Sequence, residues 1–219
     1  MDKIQDTALD KELTDFDKAL IERHTRPVWE ILKKAHVGIA GLGGLGSNIA
    51  VMLTRLGIGR LTLVDFDTVD MSNLNRQHYM HSHLGQPKTQ ALTAQLHEIS
   101  PFVELTLHTI RVTEENVLDI FSDCPIVCEA FDRPEAKALL VNELLLHCPE
   151  KIVIAASGLA GFGSANAITT KKVMKNLYIC GDNESGIEDG LSLTAPRAAL
   201  CAAHQANMVL RLLLGITTP

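Results

Sequence analysis

The feature that most restricts this chain is a glycine-rich loop set between an apolar β-run and a helix. Gly41-Leu42-Gly43-Gly44-Leu45-Gly46 follows Val37–Ala40 and opens the helical run Gly44–Leu56, which stops at Gly57. The loop fits G-x-G-x-x-G with Gly41, Gly43 and Gly46. Glycine permits the tight turn and lets backbone N–H groups approach a phosphate, while the helix N-terminus adds partial positive charge. Asp65 lies nineteen residues past Gly46, at the end of the next β-run, where a carboxylate binds ribose hydroxyls. These features predict a nucleotide but not its identity: on the loop alone a nicotinamide or flavin enzyme leads. No Gly-Lys-Ser/Thr follows, so this is not a Walker A loop.

Beyond the loop, short β-runs alternate with helices. Leu61–Val64, Val103–Leu107, Ile126–Val127 and Ile152–Ala156 read as strands; helices from Pro87 to Ile99, Glu114–Phe121 and Pro134–Leu146 lie between them. Such alternation predicts an α/β, Rossmann-like fold, a mostly parallel sheet with helices on both faces. Leu13, Phe16, Leu20 and Ile21 recur at helical spacing, and Pro27 suits the first turn of a helix carrying Trp29, Ile31 and Leu32. Residues 1–35 therefore read as an N-terminal helical arm. After the glycine-rich turn Gly158–Gly163, Ser164–Cys180 has room for two more strands around a basic turn at Lys171-Lys172 and Lys175. Gly181–Gly190 reads as a polar, mobile loop, and an apolar helix from Pro196 to Leu214 follows. With 219 residues, 46% of them hydrophobic, and no linker, we expect one domain over residues 1–219.

The formal charge is −6, and no Lys/Arg cluster is long enough to make a nucleic-acid face. No apolar run reaches the length of a membrane span, and Met1–Asp17 is polar and acidic rather than a basic-then-apolar leader, so we expect a cytoplasmic protein. The five cysteines include no C-x-x-C, which argues against a disulfide framework and against zinc. Cys124, Cys128 and Cys201 read as packing and Cys148 as a helix end; Cys180, before the polar loop, is the candidate for thiol chemistry. His78, His81 and His83 lack a Cys or carboxylate to complete a metal set and read as cover for the nucleotide loop.

A second cluster decides the class. Asp65-Phe66-Asp67-Thr68-Val69-Asp70-Met71-Ser72-Asn73-Leu74-Asn75-Arg76-Gln77 ends eleven residues before Lys88, which stands in Gly85-Gln86-Pro87-Lys88 at a helix start. A dehydrogenase has no clear need for such a polar loop followed by a lysine. A nucleotidyl transferase does. Arg76 can fork onto phosphate oxygens, and Lys88 can set a compact charge against the same group. Preorganised cations lower the barrier as charge moves onto departing pyrophosphate.

The combination Gly-x-Gly-Gly-Leu-Gly, Asp-Phe-Asp-x-Val, Ser-Asn-x-x-Arg-Gln and Pro-Lys resembles the ThiF/MoeB/E1-like activating enzymes, which adenylate the terminal glycine of ubiquitin-like or sulfur-carrier proteins. The resemblance continues through Glu129-Ala130-Phe131-Asp132 and Ala195-Pro196 and spans about residues 35–214. The short form, Ala-Ser-Gly-Leu-Ala-Gly at 156–161 and His204-Gln205-Ala206-Asn207 look most like the ThiF branch, which serves the ThiS-type sulfur carrier of thiamine thiazole synthesis.

The resemblance implies an ATP site formed by Gly41, Gly43, Gly44, Leu45, Gly46, Asp65, Asp67, Ser72, Asn73, Asn75, Arg76, Gln77, Lys88 and Asp132. Arg76, Lys88 and Asp132 would carry the chemistry. Asp65 would hold ribose, Gln77 would order its loop, and Asp132 would support Mg²⁺. Asp67 and Asp70 are further magnesium candidates, set against a reading as solvated carboxylates. It also implies a homodimer in which an N-terminal arginine, Arg23 or Arg26, reaches the neighbour's nucleotide. Two departures stand out: the zinc-binding C-x-x-C pairs of many relatives are absent, and Arg133 replaces an Asn that often follows the Asp. Three rivals remain: adenylation of a tRNA-linked carboxylate, as in threonylcarbamoyladenosine dehydratases; an NAD-dependent oxidoreductase; and a non-catalytic subunit of the same fold.

Overall fold

A computed structural model describes residues 13–186 and 190–219. Seven strands form one sheet: β1 (His36–Ala40), β2 (Arg60–Val64), β3 (Glu104–His108), β4 (Ile126–Glu129), β5 (Ile152–Ala156), β6 (Thr169–Met174) and β7 (Leu177–Gly181). Their order is β3-β2-β1-β4-β5-β7-β6, and every neighbouring pair is parallel except β6 with β7. The helices are α1 (Asp15–His24), α2 (Arg26–Lys34), α3 (Gly46–Leu56), α4 (Lys88–Ile99), α5 (Val117–Ile120), α6 (Pro134–His147) and α7 (Ala195–Leu213).

The pleat of β1 shows why both faces must be covered. Val37 and Ile39 enter the larger core with residues of α2, α3, α4 and α7, while Ala40 joins the smaller core under α5 and α6. Gly38 faces that second layer, where a Cβ would stand 2.6 Å from the Phe121 ring, so a side chain there would displace the aromatic. α3 ends as its sequence predicts: Gly57 takes φ +94° and caps the helix by donating to Leu53 and Thr54 carbonyls.

Three expectations change. The helix read over 114–121 shrinks to the single turn Val117–Ile120, because Asn116 accepts from Thr113 N and donates to Arg111 O, which holds the preceding residues in a turn. Lys171 and Lys172 lie within β6, not in a basic turn; the reversal comes at Lys175 and Asn176, and Lys172 sits 5.4 Å over the Tyr178 ring. Within 181–190, Gly181 ends β7 and Asp182 organises the turn after it; residues 187–189, and residues 1–12 of the arm, lie outside the described residues.

The described part of the arm folds onto its own chain. Thr14 caps α1 through a reciprocal box with Asp17, and Asp17 also accepts from Trp29 Nε1 at 3.0 Å and pairs with Lys33 at 3.3 Å. Trp29 is thereby buried within the protomer. No helix among the described residues is long and apolar enough to cross a membrane.

Candidate functional site

The strand order reverses at β1. From β1 the chain crosses over α3 to β2 on one side, and from β3 it returns through α5 to β4 on the other. In open α/β sheets the ligand crevice lies beyond the carboxyl ends of the strands at that reversal. Here the crevice is closed by backbone: Gly41 N donates to Val64 O and Ala130 N to Ala40 O, each at 2.8 Å.

The glycines of the loop have distinct jobs. Gly41 has φ +91°, and a Cβ on it would stand 2.9 Å from Ala130 O. At Gly46 an added Cβ would lie 1.8 Å from Gly41 O, so this glycine lets α3 start against the strand end. Gly43 is different: the nearest atom to an added Cβ is Gln77 Nε2 at 3.8 Å, and the position is open. Gly44 is bounded by Arg76 Cγ and by Ala198 at the start of α7. Leu45 turns its side chain into the core, leaving its backbone to the loop.

The predicted residues gather around this loop. Asp65 is buried and accepts from Leu42 N at 2.6 Å and from Asp67 N at 2.8 Å. Burial pushes its pKa up, while the Lys88 charge and the two amides pull the other way. Lys88 is itself buried, 2.9 Å from Asp67 and 4.0 Å from Asp65. Asp70, Ser72 and Asn73 form a capped 3₁₀ turn in which Asp70 accepts from Ser72 N and Asn73 accepts from Asp70 N. Asp70 therefore serves the turn, and among the described residues its hydrogen bonds stay within it. Arg76 is oriented by Ser72 O at 3.0 Å and Asn75 Oδ1 at 2.8 Å, and Asn75 Nδ2 reaches Leu193 O just before α7. Gln77 is buried, and its Oε1 has no partner among the described residues. Asp132 follows the Ala130–Phe131 wall as an exposed carboxylate with no hydrogen-bond partner among the described residues.

Other parts of the support were not read from the sequence. Tyr79 donates to Leu42 O at 2.9 Å across the back of the loop, and burial raises its phenol pKa, which keeps it a donor. Asn48 ties Gly44 O to Arg76 O, and Ser47 bonds Gly43 O and His78 N. Glu129, fully buried, accepts from Phe131 N at 2.7 Å and from Lys137, whose ammonium also reaches Ala156 O. This pair fixes the backbone just before Asp132 and links it to the end of β5. His78 and His83 brace the loop through Gln95 and Met80 N. Cys180 is sealed in the core, where burial pushes its thiol up to about 11, so it does not present the exposed thiolate that thiol chemistry requires.

Beyond β5 and β7 a second knot forms. Arg197, buried in the first turn of α7, donates to Leu159 O, Gly163 O and Ser164 O and pairs with Asp182. Partial burial works to raise the Asp182 pKa, but the amides of Ser185 and Glu184, the Ser185 hydroxyl and Arg197 outweigh it and bring it to about 2. A carboxyl depressed below its usual value stabilises the fold above about pH 4 and loses that contribution as pH falls towards about 2. Hydrogen exchange at Glu184 and Ser185 is expected to accelerate over that acid window, ahead of the β1–β4 amides; unchanged protection there would refute the assignment.

A sequence profile of the ThiF family matches residues 18–219. The chain belongs to the ThiF family. It is 31% identical over 196 residues to the adenylyltransferase and sulfurtransferase UBA4 of Kluyveromyces lactis, covering 85% of this chain and 43% of that protein. It is 34% identical over 148 residues to the sulfur carrier protein adenylyltransferase of Thermus thermophilus, covering 67% of this chain and 54% of the relative. The chain thus spans about half the length of these relatives or less. Among solved structures, the ATP complex of Escherichia coli tRNA N6-threonylcarbamoyladenosine dehydratase superposes with a TM-score of 0.83 at 19% identity, covering 95% of this chain and 96% of that one. That likeness shows a shared fold.

Proposed function

We propose that this ThiF-family chain is an ATP-dependent adenylyltransferase that activates the C-terminal Gly-Gly carboxylate of a small ubiquitin-like sulfur carrier, of the ThiS type, as an acyl-adenylate. The observation that carries the reading is Lys88, buried beside Asp65 and Asp67 at the edge of the glycine loop, with Arg76 held against Gly44. Hydride transfer develops no phosphate charge for two such cations to stabilise, whereas nucleotidyl transfer does. The open position of Gly43 fits a nucleotide lying along the loop.

In this reading Asp65 holds the ribose, and the loop amides with the start of α3 hold phosphate. The carrier carboxylate, already ionised at neutral pH, attacks the α-phosphorus without a general base. Arg76 and Lys88 stabilise the charge passing to pyrophosphate. Asp132 fits Mg²⁺ as a free, exposed carboxylate at the crevice, since this ion binds through one or two carboxylates plus phosphate oxygens. Bound there, the ion would neutralise phosphate charge. We further propose a cytoplasmic homodimer; Trp29, satisfied within its own protomer, lends that no support, whereas Arg23 is exposed on α1.

A second reading, adenylation of a tRNA-linked carboxylate, draws on the dehydratase whose chain length this one matches. The net charge of −6 weighs against it. The test is intact-mass spectrometry of a Gly-Gly-ended sulfur carrier incubated with the protein, ATP and Mg²⁺. The carrier is expected to gain AMP, and NAD⁺ should change nothing. ATP-dependent modification of threonylcarbamoylated tRNA in place of the carrier would favour the second reading, and NAD(H) turnover without adenylation would overturn both.

A further inference from the structure

Asp65 and Asp67 flank the same lysine but are not equivalent. Asp65 is buried and already holds the loop through Leu42 N, while Asp67 has a side chain 49% exposed whose carboxylate meets one partner among the described residues, the Lys88 ammonium. Lys88 is 6% exposed, and its ammonium lies 2.9 Å from Asp67 and 4.0 Å from Asp65. The backbone fixes the geometry: Lys88 N donates to Asp67 O at 3.0 Å, Val69 N to Gln86 O at 2.9 Å, and Thr68 and Pro87 form a β-bridge. Asp67 is therefore built onto the start of α4, with its carboxylate where Lys88 points.

Building on the adenylation reading, we propose that Asp67 is a positioning residue: it is the resting counter-ion that yields Lys88 to the nucleotide phosphates and takes it back as pyrophosphate leaves. Asp67 is the exposed side of the pair and rehydrates on parting, while the buried Lys88 exchanges one anion for another and keeps Asp65 at 4.0 Å, so a polyphosphate carrying several negative charges outcompetes a single carboxylate for the ammonium. Once the α–β phosphoanhydride is cleaved, the same carboxylate competes with the pyrophosphate that must depart. Asp67 thus works against tight binding of both ATP and pyrophosphate, and in favour of release. A magnesium ligand at this position would do the opposite.

The experiment compares wild type, Asp67→Asn and Asp67→Ser by calorimetric titration with ATP and with pyrophosphate, and by steady-state carrier adenylation. Both variants should bind ATP and pyrophosphate about fivefold more tightly. KM for ATP should fall, kcat should fall where pyrophosphate release limits it, and Asp67→Glu should return the constants towards wild type. Thermal melts identify a variant that is merely unfolded. Weaker binding in the variants, or binding unchanged in both, would overturn the proposal. A wild-type protein that binds neither ATP nor pyrophosphate would remove the adenylation reading itself, a separate failure.

Discussion

With Arg76 replaced by alanine, ATP–pyrophosphate exchange is expected to fall by roughly 10²–10³-fold, the range for losing one preorganised group that stabilises transition-state charge. The fold should survive, because Arg76 is partly exposed and, among the described residues, its side chain bonds only Ser72 O and Asn75 Oδ1 within its own loop. Lys88→Ala should cost as much in rate but also lower the melting temperature, since it leaves the buried Asp65 without its cation. The pair of variants separates chemistry from stability. Exchange within threefold of wild type in a folded Arg76→Ala protein would sink the assignment.

The second large effect divides the glycine loop. Gly46→Ala is expected to unseat α3 from the strand end, because its Cβ would meet Gly41 O at 1.8 Å and the obstacle is backbone. The loss should lie at the upper end of the about 1–3 kcal/mol seen for overpacking, with nucleotide binding lost alongside. Gly43→Ala meets nothing closer than 3.8 Å, so the empty protein should fold normally and fail only when phosphate must approach the backbone. Urea unfolding and ATP titration of the two variants read these outcomes separately. Equal unfolding midpoints for Gly46→Ala and wild type would refute the packing argument.

The parts of this structure that were legible in the sequence are those with local physics behind them. Buried parallel strands must be apolar on both faces, so Val37–Ala40 and Ile152–Ala156 announced themselves. Gly57 and the prolines at the starts of α2, α6 and α7 marked helix ends by backbone chemistry alone. The gathering of Asp65, Arg76 and Lys88 beside the glycine loop was legible because the proposed nucleotide calls for a carboxylate at its ribose and cations at its phosphates. What stayed hidden depends on distant partners. Tyr79 and Leu42, thirty-seven positions apart, have no shared pattern, and Lys137 beneath Glu129 reads as one more helix lysine. The same reason explains Cys180: its burial comes from α7 packing across β7, and nothing in its immediate neighbours declares it.

Arg197 has a mechanical consequence. The turn after β5, the turn after β7 and the first turn of α7 all hang from its guanidinium, while Asn75 ties the Arg76 loop to Leu193 on the approach to the same helix. Segments pinned to one side chain have no independent opening equilibria; they share a single free energy of release. Any chain end that threads between these loops must therefore part them as one unit, with the whole rim answering to a single joint.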